Sequence, residues 1–314
     1  MTSPRTPHRR AVIDVGTNSV KLLVADITFD SVEPICEFAS QTRLGSQLYS
    51  GMTLSDSAIT RTAKAVAAFA SKARELGASE VRAIATSAAR EASNSDALAA
   101  AIRDSAGLEL AILEGGTEAQ LAFYGVATDP RFQGKPLMVI DVGGGSTQIT
   151  VGCAATVLFT NSLQLGAVRL LETLNPADPP AQADLDRCRS MIRSILSNGC
   201  KGELSKALAG LPANPESLAS GGTASVLAAM HLGLTSFDRR QIESVAFSPA
   251  DLAQWVERLW KLPIKDRRLI PGLPPERADV IITGVAILAG AAEFLGINKL
   301  RVSTRGLRFG ALVS

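Results

Sequence analysis

Histidine is almost missing from this chain: His8 and His231 are the two in 314 residues, and they lie far apart. No Ser-His-Asp triad and no histidine-rich metal centre is expected, and His231 reads as a structural helix residue. Cysteine is scarce as well. Cys36, Cys153, Cys188 and Cys200 are scattered without metal-binding spacing, which suits reduced thiols in a cytoplasmic protein. Charge of one sign is lacking: 32 Lys and Arg against 30 Asp and Glu leave +2, so no global field for nucleic acid or a membrane surface is evident. The most apolar segment, residues 280–292, falls short of the ~20 residues a membrane helix needs and reads as a buried helix. Residues 1–10 are basic but lead into a strand rather than an uninterrupted apolar stretch, so no signal peptide is expected. Low-complexity segments and long linkers are missing too. What is present is 46% hydrophobic residues in a chain long enough for two domains of ordinary size.

The chain is organised around Met138-Val139-Ile140-Asp141-Val142-Gly143-Gly144-Gly145-Ser146-Thr147-Gln148-Ile149. An apolar strand meets an aspartate, three glycines and two hydroxyl residues, and a second β-prone run follows: strand, tight turn, strand. Glycines let the backbone approach a ligand and aim several N–H groups at one place, which suits a phosphate. The aspartate sits where a hydrated metal ion carried by that phosphate would lie. Alone, such an Asp-x-Gly turn is most simply a plain hairpin. However, Val12-Ile13-Asp14-Val15-Gly16-Thr17-Asn18-Ser19 aligns with residues 139–146 without a gap, matching at the first five positions and again at the serine. Two copies in register imply a duplicated unit, with two domains offering glycine turns to a shared cleft.

Between and after the hairpins the pattern is α/β. A strand is expected at 33–40 and a loop at 42–53. A helix follows from Ser55 or Asp56 to Leu76, closed by Gly77, with further strands at 81–85 and 109–113 and a helix at 96–106. Glu114-Gly115-Gly116-Thr117-Glu118-Ala119 then opens a helix, capped by Gly116 or Thr117, that runs through Tyr124. A strand end running into a helix start is where α/β folds bind ligands. Glu118 in its first turn is either a favourable charge at a helix N-terminus or a general base at the cleft floor, and the neighbouring glycine hairpin tips it toward the base. Later elements are helices at 184–198 and 202–210, a strand at 217–219, a helix capped by Ser248-Pro249, a helix at 276–295, a strand at 299–303 and a last helix at 305–313. Ser220-Gly221-Gly222-Thr223 is a second candidate phosphate loop at a helix N-terminus; as a bare motif it is also a simple helix start. Lys261, Lys265, Arg267 and Arg268, or Arg187, Arg189 and Arg193, are candidate tracks for a polyanion, though such runs are usually solvated faces.

Together these pieces resemble the exopolyphosphatase / guanosine pentaphosphate phosphohydrolase family, in the actin-like superfamily of sugar kinases and heat-shock ATPases. The resemblance rests on residues 13–19, 85–91 with Arg90, 115–119, 141–148, Leu165-Gly166-Ala167-Val168-Arg169, Gly221-Gly222-Thr223, residues 272–279 and Gly306-Leu307-Arg308. It implies an α/β fold of two ribonuclease H-like (actin-like ATPase) domains, with mixed sheets flanked by helices and a cleft between them. The first is expected to comprise residues 1–124 plus 304–314 and the second 125–303, without the extra C-terminal helical domains of long family members. A homodimer is plausible, with the second domain as the contact.

The same resemblance implies Mg²⁺-dependent hydrolysis of a terminal phosphoanhydride on inorganic polyphosphate or guanosine pentaphosphate. Glu118 would activate water, and Asp141 with Asp14 would hold the metal. Gly16, Thr17, Asn18, Ser19, Gly143, Gly144, Gly145, Ser146 and Thr147, with Gly221, Gly222 and Thr223, would bind the phosphoryl group. Arg90 would contact phosphate. Two departures stand out. Lys21 occupies a position where the family often has arginine or histidine, keeping a cation but not a fork. Gln148 replaces the family's glutamate; it carries no charge for a metal and cannot act as a base, but it can orient a water. The rivals are therefore a polyphosphate or alarmone sensor without efficient turnover, a nucleotide-dependent kinase of the same superfamily, and an actin-like filament, for which no filament-forming insertion is recognisable.

Overall fold

The computed structural model describes residues 8–28, 31–200 and 202–314, so most of the expectation for residues 1–10 lies outside the described residues. β1 (His8–Val15) and β2 (Val20–Ile27) form an antiparallel hairpin closed by a hydrogen bond from Gly16 N to Ser19 O, with Asp14 opposite Lys21. β3 (Val32–Ser40) adds antiparallel to β2. β4 (Glu80–Ala85) lies parallel to β1, and β5 (Leu110–Ile112) parallel to β4. The sheet order is β3-β2-β1-β4-β5.

The second half repeats this plan. β6 (Pro136–Val142) and β7 (Thr147–Cys153) form a hairpin closed by Gly143 N to Ser146 O, with Asp141 opposite Gln148. β8 (Thr156–Leu163) adds antiparallel to β7, and β9 (Glu216–Ser220) lies parallel to β6. β10 (Ala246–Phe247) and β11 (Leu300–Val302) complete it, with β11 parallel to β9 and β10 antiparallel at the edge. The order β10-β11-β9-β6-β7-β8 contains the first sheet's topology in full. The duplicated segment is thus one corner of a duplicated fold. Lys21 and Gln148 occupy equivalent positions, each opposite the aspartate of its hairpin.

Helices carry the parallel crossovers, as parallel pairing requires. The helix Asp56–Glu75 starts where Ser55 Oγ accepts from Ala58 N and ends before Gly77 at φ +80°. The helix Pro249–Trp260 opens on a capping box between Ser248 and Asp251. Two expected helix starts shift. The helix after β5 begins at Gly115 with Glu114 as its capping residue, so neither Gly116 nor Thr117 is the cap. The segment expected as one helix from 276 is a single 3-10 turn, Pro275–Arg277, followed by the helix Ile281–Phe294. Asp279 Oδ1 takes the Val280 N–H, and Pro274 and Pro275 have no N–H to donate. β8, β10 and the helices Leu48–Gly51 and Arg239–Ser244 are not expected from the sequence and carry little periodic signal; the helix Ala167–Leu174 is not expected either, although it is strongly amphipathic, because it spans little more than two turns.

The helix Gly115–Ala127 sits between the two sheets. Leu121 packs with Val12, Leu23, Phe309 and Leu312, whereas Phe123 and Val126 pack with Leu137, Val139 and Leu218. The last helix, Leu307–Val313, crosses it closely: a Cβ on Gly125 would lie 1.9 Å from Gly306 O, and one on Gly310 would lie 1.9 Å from Leu121 O. The helix Ile281–Phe294 is buried along most of its length, and no helix among the described residues is long and apolar enough to cross a membrane.

Candidate active site

Because the two hairpins are equivalent corners of facing halves, their turns meet. A Cβ on Gly144 would lie 2.9 Å from Thr17 Cβ. A cavity of about 400 Å³ runs between them. Asp14, Gly16, Thr17, Asn18, Ser19 and Lys21 line it from the first half. Asp141, Gly143, Gly144, Gly145, Ser146, Gln148, Gly221, Gly222 and Thr223 line it from the second, and Glu118 closes its wall. Two expected residues do not line it. Thr147 is fully buried with its hydroxyl donating to Leu165 O at 2.5 Å, which leaves that side chain structural. Arg90 donates from Nη1 to Leu113 O (2.6 Å) and Glu118 Oε2 (3.0 Å), so it acts on the site through Glu118.

Of the three carboxylates, Glu118 and Asp14 are buried and Asp141 is half-buried. Glu118 is 7% exposed. Burial raises its pKa to about 7, against the Arg90 charge and hydrogen bond that pull it down. Its Oε1 faces the Ser146 hydroxyl at 3.5 Å, and Ser146 Oγ accepts from Gln148 Nε2 at 2.8 Å. Gln148 also donates to Ser162 Oγ (3.1 Å). Asp14 and Asp141 are both pushed up by burial, with Lys21 and Arg308 opposing; in Asp141 the Ser220 hydrogen bond opposes as well. Ser220 Oγ donates to Asp141 Oδ2 at 2.7 Å. Among the described residues nothing donates to buried Asp14 Oδ1. Burial between these charges lowers the Lys21 pKa. Gly221, at φ +87°, brings the helix Gly221–Leu232 against Asp141: a Cβ there would lie 2.4 Å from Asp141 Oδ1.

Two functional candidates were visible only as unassigned motif residues. Arg277, from Pro-Pro-Glu-Arg-Ala-Asp, lines the cavity and donates from Nη1 to Gly222 O (3.1 Å); burial lowers its pKa to about 10. Arg308, from Gly-Leu-Arg, donates to Leu22 O and Glu37 Oε2, both at 2.9 Å. A further contact joins the halves beside the turns. Arg169 Nη2 lies 2.5 and 2.6 Å from the Glu91 carboxylate oxygens, its Nε donates to Gly145 O (2.8 Å), and its guanidinium stacks 4.0 Å over Tyr49. The proposed basic tracks are corrected. Arg267 is 2% exposed and pairs with Asp178, so it cannot be a surface cation. Arg187, Arg189 and Arg193 pair with Asp184, Glu257 and Glu293, and none of them lines the cleft, nor do Lys261, Lys265 or Arg268. His231 is structural as expected, accepting from Trp255 Nε1 at 3.4 Å.

The chain has relatives among known proteins. Exopolyphosphatase 2 of Mycobacterium tuberculosis is 31% identical over 98% of both chains. A guanosine-5'-triphosphate,3'-diphosphate pyrophosphatase of Pseudoalteromonas atlantica is 26% identical over 99% of this chain and 60% of its own length. The crystal structure of an Aquifex aeolicus Ppx/GppA family member superposes with a TM-score of 0.77 at 27% identity, covering 98% of this chain and 97% of that one. The fold is accordingly the actin-like one that the family resemblance implies, with the duplication that the two hairpins predict. With residues 23–314 matched by the model of the Ppx/GppA phosphatase family, the chain belongs to that family.

Proposed function

We propose that the cleft hydrolyses a terminal phosphoanhydride, releasing phosphate from inorganic polyphosphate, guanosine pentaphosphate or both. The observation that carries this reading is Glu118: a buried carboxylate with a pKa near 7, fixed by Arg90 and aimed into a cavity walled by two glycine turns. In the reaction the terminal phosphoryl group lies between the turns, where backbone N–H groups and the N-terminus of the helix Gly221–Leu232 oppose its charge. Glu118 takes a proton from the attacking water, and the Ser146 hydroxyl, oriented by Gln148, steadies the carboxylate. Little covalent help is needed, because phosphoryl transfer depends mainly on alignment and charge neutralisation.

The donor set fits Mg²⁺. Two carboxylates, buried Asp14 and half-buried Asp141, stand at equivalent positions, and Asp14 Oδ1 lacks a donor among the described residues. No three His, Cys, Asp or Glu side chains gather in a metal-binding arrangement among the described residues, which suits an ion that keeps waters and takes substrate oxygens. Bound there, Mg²⁺ would neutralise phosphate charge in the transition state. The Asp14→Asn variant is expected to raise the Mg²⁺ concentration for half-maximal phosphate release by at least about tenfold. An unchanged Mg²⁺ titration would remove Asp14 from the metal site.

A pH profile follows from Glu118. The base must be ionised, so kcat/KM rises with pH through about 7 and levels off above it. A profile flat from pH 5 to 9 would contradict the assignment. The decisive test is phosphate release on long polyphosphate and on guanosine pentaphosphate in parallel, with Mg²⁺ and with chelator. Tight binding of both ligands by the folded protein without release would instead support the sensor reading that Gln148 motivates.

A further inference from the structure

The mouth of the cleft is built differently from its floor. The floor holds the charges. Among the described residues lining the cleft the cations are Lys21, Arg277 and Arg308: Arg308 pairs with Glu37, Lys21 lies in the field of Asp14 and Asp141, and Arg277 donates to Gly222 O. No further cation lines the cleft among the described residues. A side cavity of about 310 Å³ shares Thr17 and Asn18 with the cleft, but there too the arginines are matched, Arg43 by Asp279 and Arg267 by Asp178. A long polyanion leaving the phosphate turns would run along either exit without compensating charge, which is poor design for binding it.

What the cleft offers beyond its charged floor includes an exposed aromatic ring. Phe237 lines the cavity while remaining 58% exposed, in a chain with 14 aromatic residues in all. The edge strand of the first sheet lines the same cavity, where Ala39 pairs with Lys21 and so shares its face. Ala39 is exposed and small, and half-buried Val226 also lines the cavity. Accepting the phosphohydrolase reading on which this rests, we propose that Phe237 is a specificity residue: its ring stacks the purine of a nucleoside polyphosphate whose terminal phosphate lies between the turns. An uncharged ring fits this mouth, and phosphate units do not. The cleft therefore favours guanosine pentaphosphate over long polyphosphate.

The test is the ratio of kcat/KM for guanosine pentaphosphate to that for long polyphosphate, in the wild type, Phe237→Ala and Phe237→Trp. The wild type is expected to favour the nucleotide. Phe237→Ala should lower the ratio about tenfold, the effect of one lost base stack, and Phe237→Trp should keep it. A ratio unmoved by Phe237→Ala, or a wild type that favours long polyphosphate, overturns the proposal. If neither substrate releases phosphate, the phosphohydrolase reading fails by itself. The same ratio is then read from dissociation constants for guanosine pentaphosphate and tripolyphosphate, measured by calorimetry on the same three proteins, with the same outcomes deciding.

Discussion

Glu118→Gln is expected to slow phosphate release by about 10²–10⁴-fold, the usual span for a lost general base. The amide keeps the shape of the carboxyl: its oxygen can still accept from Arg90 while its NH2 donates to the Ser146 hydroxyl oxygen, so the cavity should hold its form. What it cannot do is take a proton from water. The same variant should gain stability. A carboxyl with a folded pKa of about 7, above its ordinary 4.5, holds its proton more tightly in the folded state. The fold is therefore relatively favoured below pH 4.5, loses stability as pH rises from 4.5 to 7, and stays lower above 7. The size of that loss is about 3 kcal/mol. Urea midpoints of the two proteins should coincide near pH 4.5 and separate in favour of Glu118→Gln above pH 7. Near-normal turnover in the variant would remove Glu118 from the mechanism. Parallel stability curves would show that its burial carries no penalty.

Gly310→Ala is expected to destabilise the protein by about 3 kcal/mol, at the upper end of ordinary overpacking. The added methyl would lie 1.9 Å from Leu121 O, and a backbone carbonyl within a helix cannot rotate away as a side chain can. The helix Leu307–Val313 must then move off the helix Gly115–Ala127, which carries Glu118 in its first turn. Activity should fall along with stability, because the base moves with its helix. Gly51→Ala is the control: nothing lies within 4 Å of a Cβ there. Equal urea midpoints for the two variants would mean that the helix crossing tolerates separation.

The sequence revealed the site's floor because duplication made it visible. Residues 12–16 repeat as 139–143, and the structure gives both copies the same hairpin, the same closing hydrogen bond and the same opposite neighbour position. Glu118 was legible through its place at a strand-to-helix junction. The roles of Arg277 and Arg308 were not, because a lone arginine in a loop or a late helix carries no periodic signal; only the folded chain brings them to the cavity that residues 14 and 141 line. Arg267 was misread for the opposite reason. Local composition placed it in a basic run, and its burial depends on Asp178, which lies far away in sequence. The strands β8 and β10 escaped because an edge strand of mixed polarity and a two-residue strand show little alternation.

The crossing of the helices Gly115–Ala127 and Leu307–Val313 also ties the base to a segment far away in sequence. Phe309, Ala311 and Leu312 fill the space over Val12, Leu23 and Leu121, and without them that apolar surface would lie open to water. Loosening of residues 307–313 is thereby transmitted to the helix they rest on, and through it to Glu118. The base is tethered from behind, by packing as well as by Arg90.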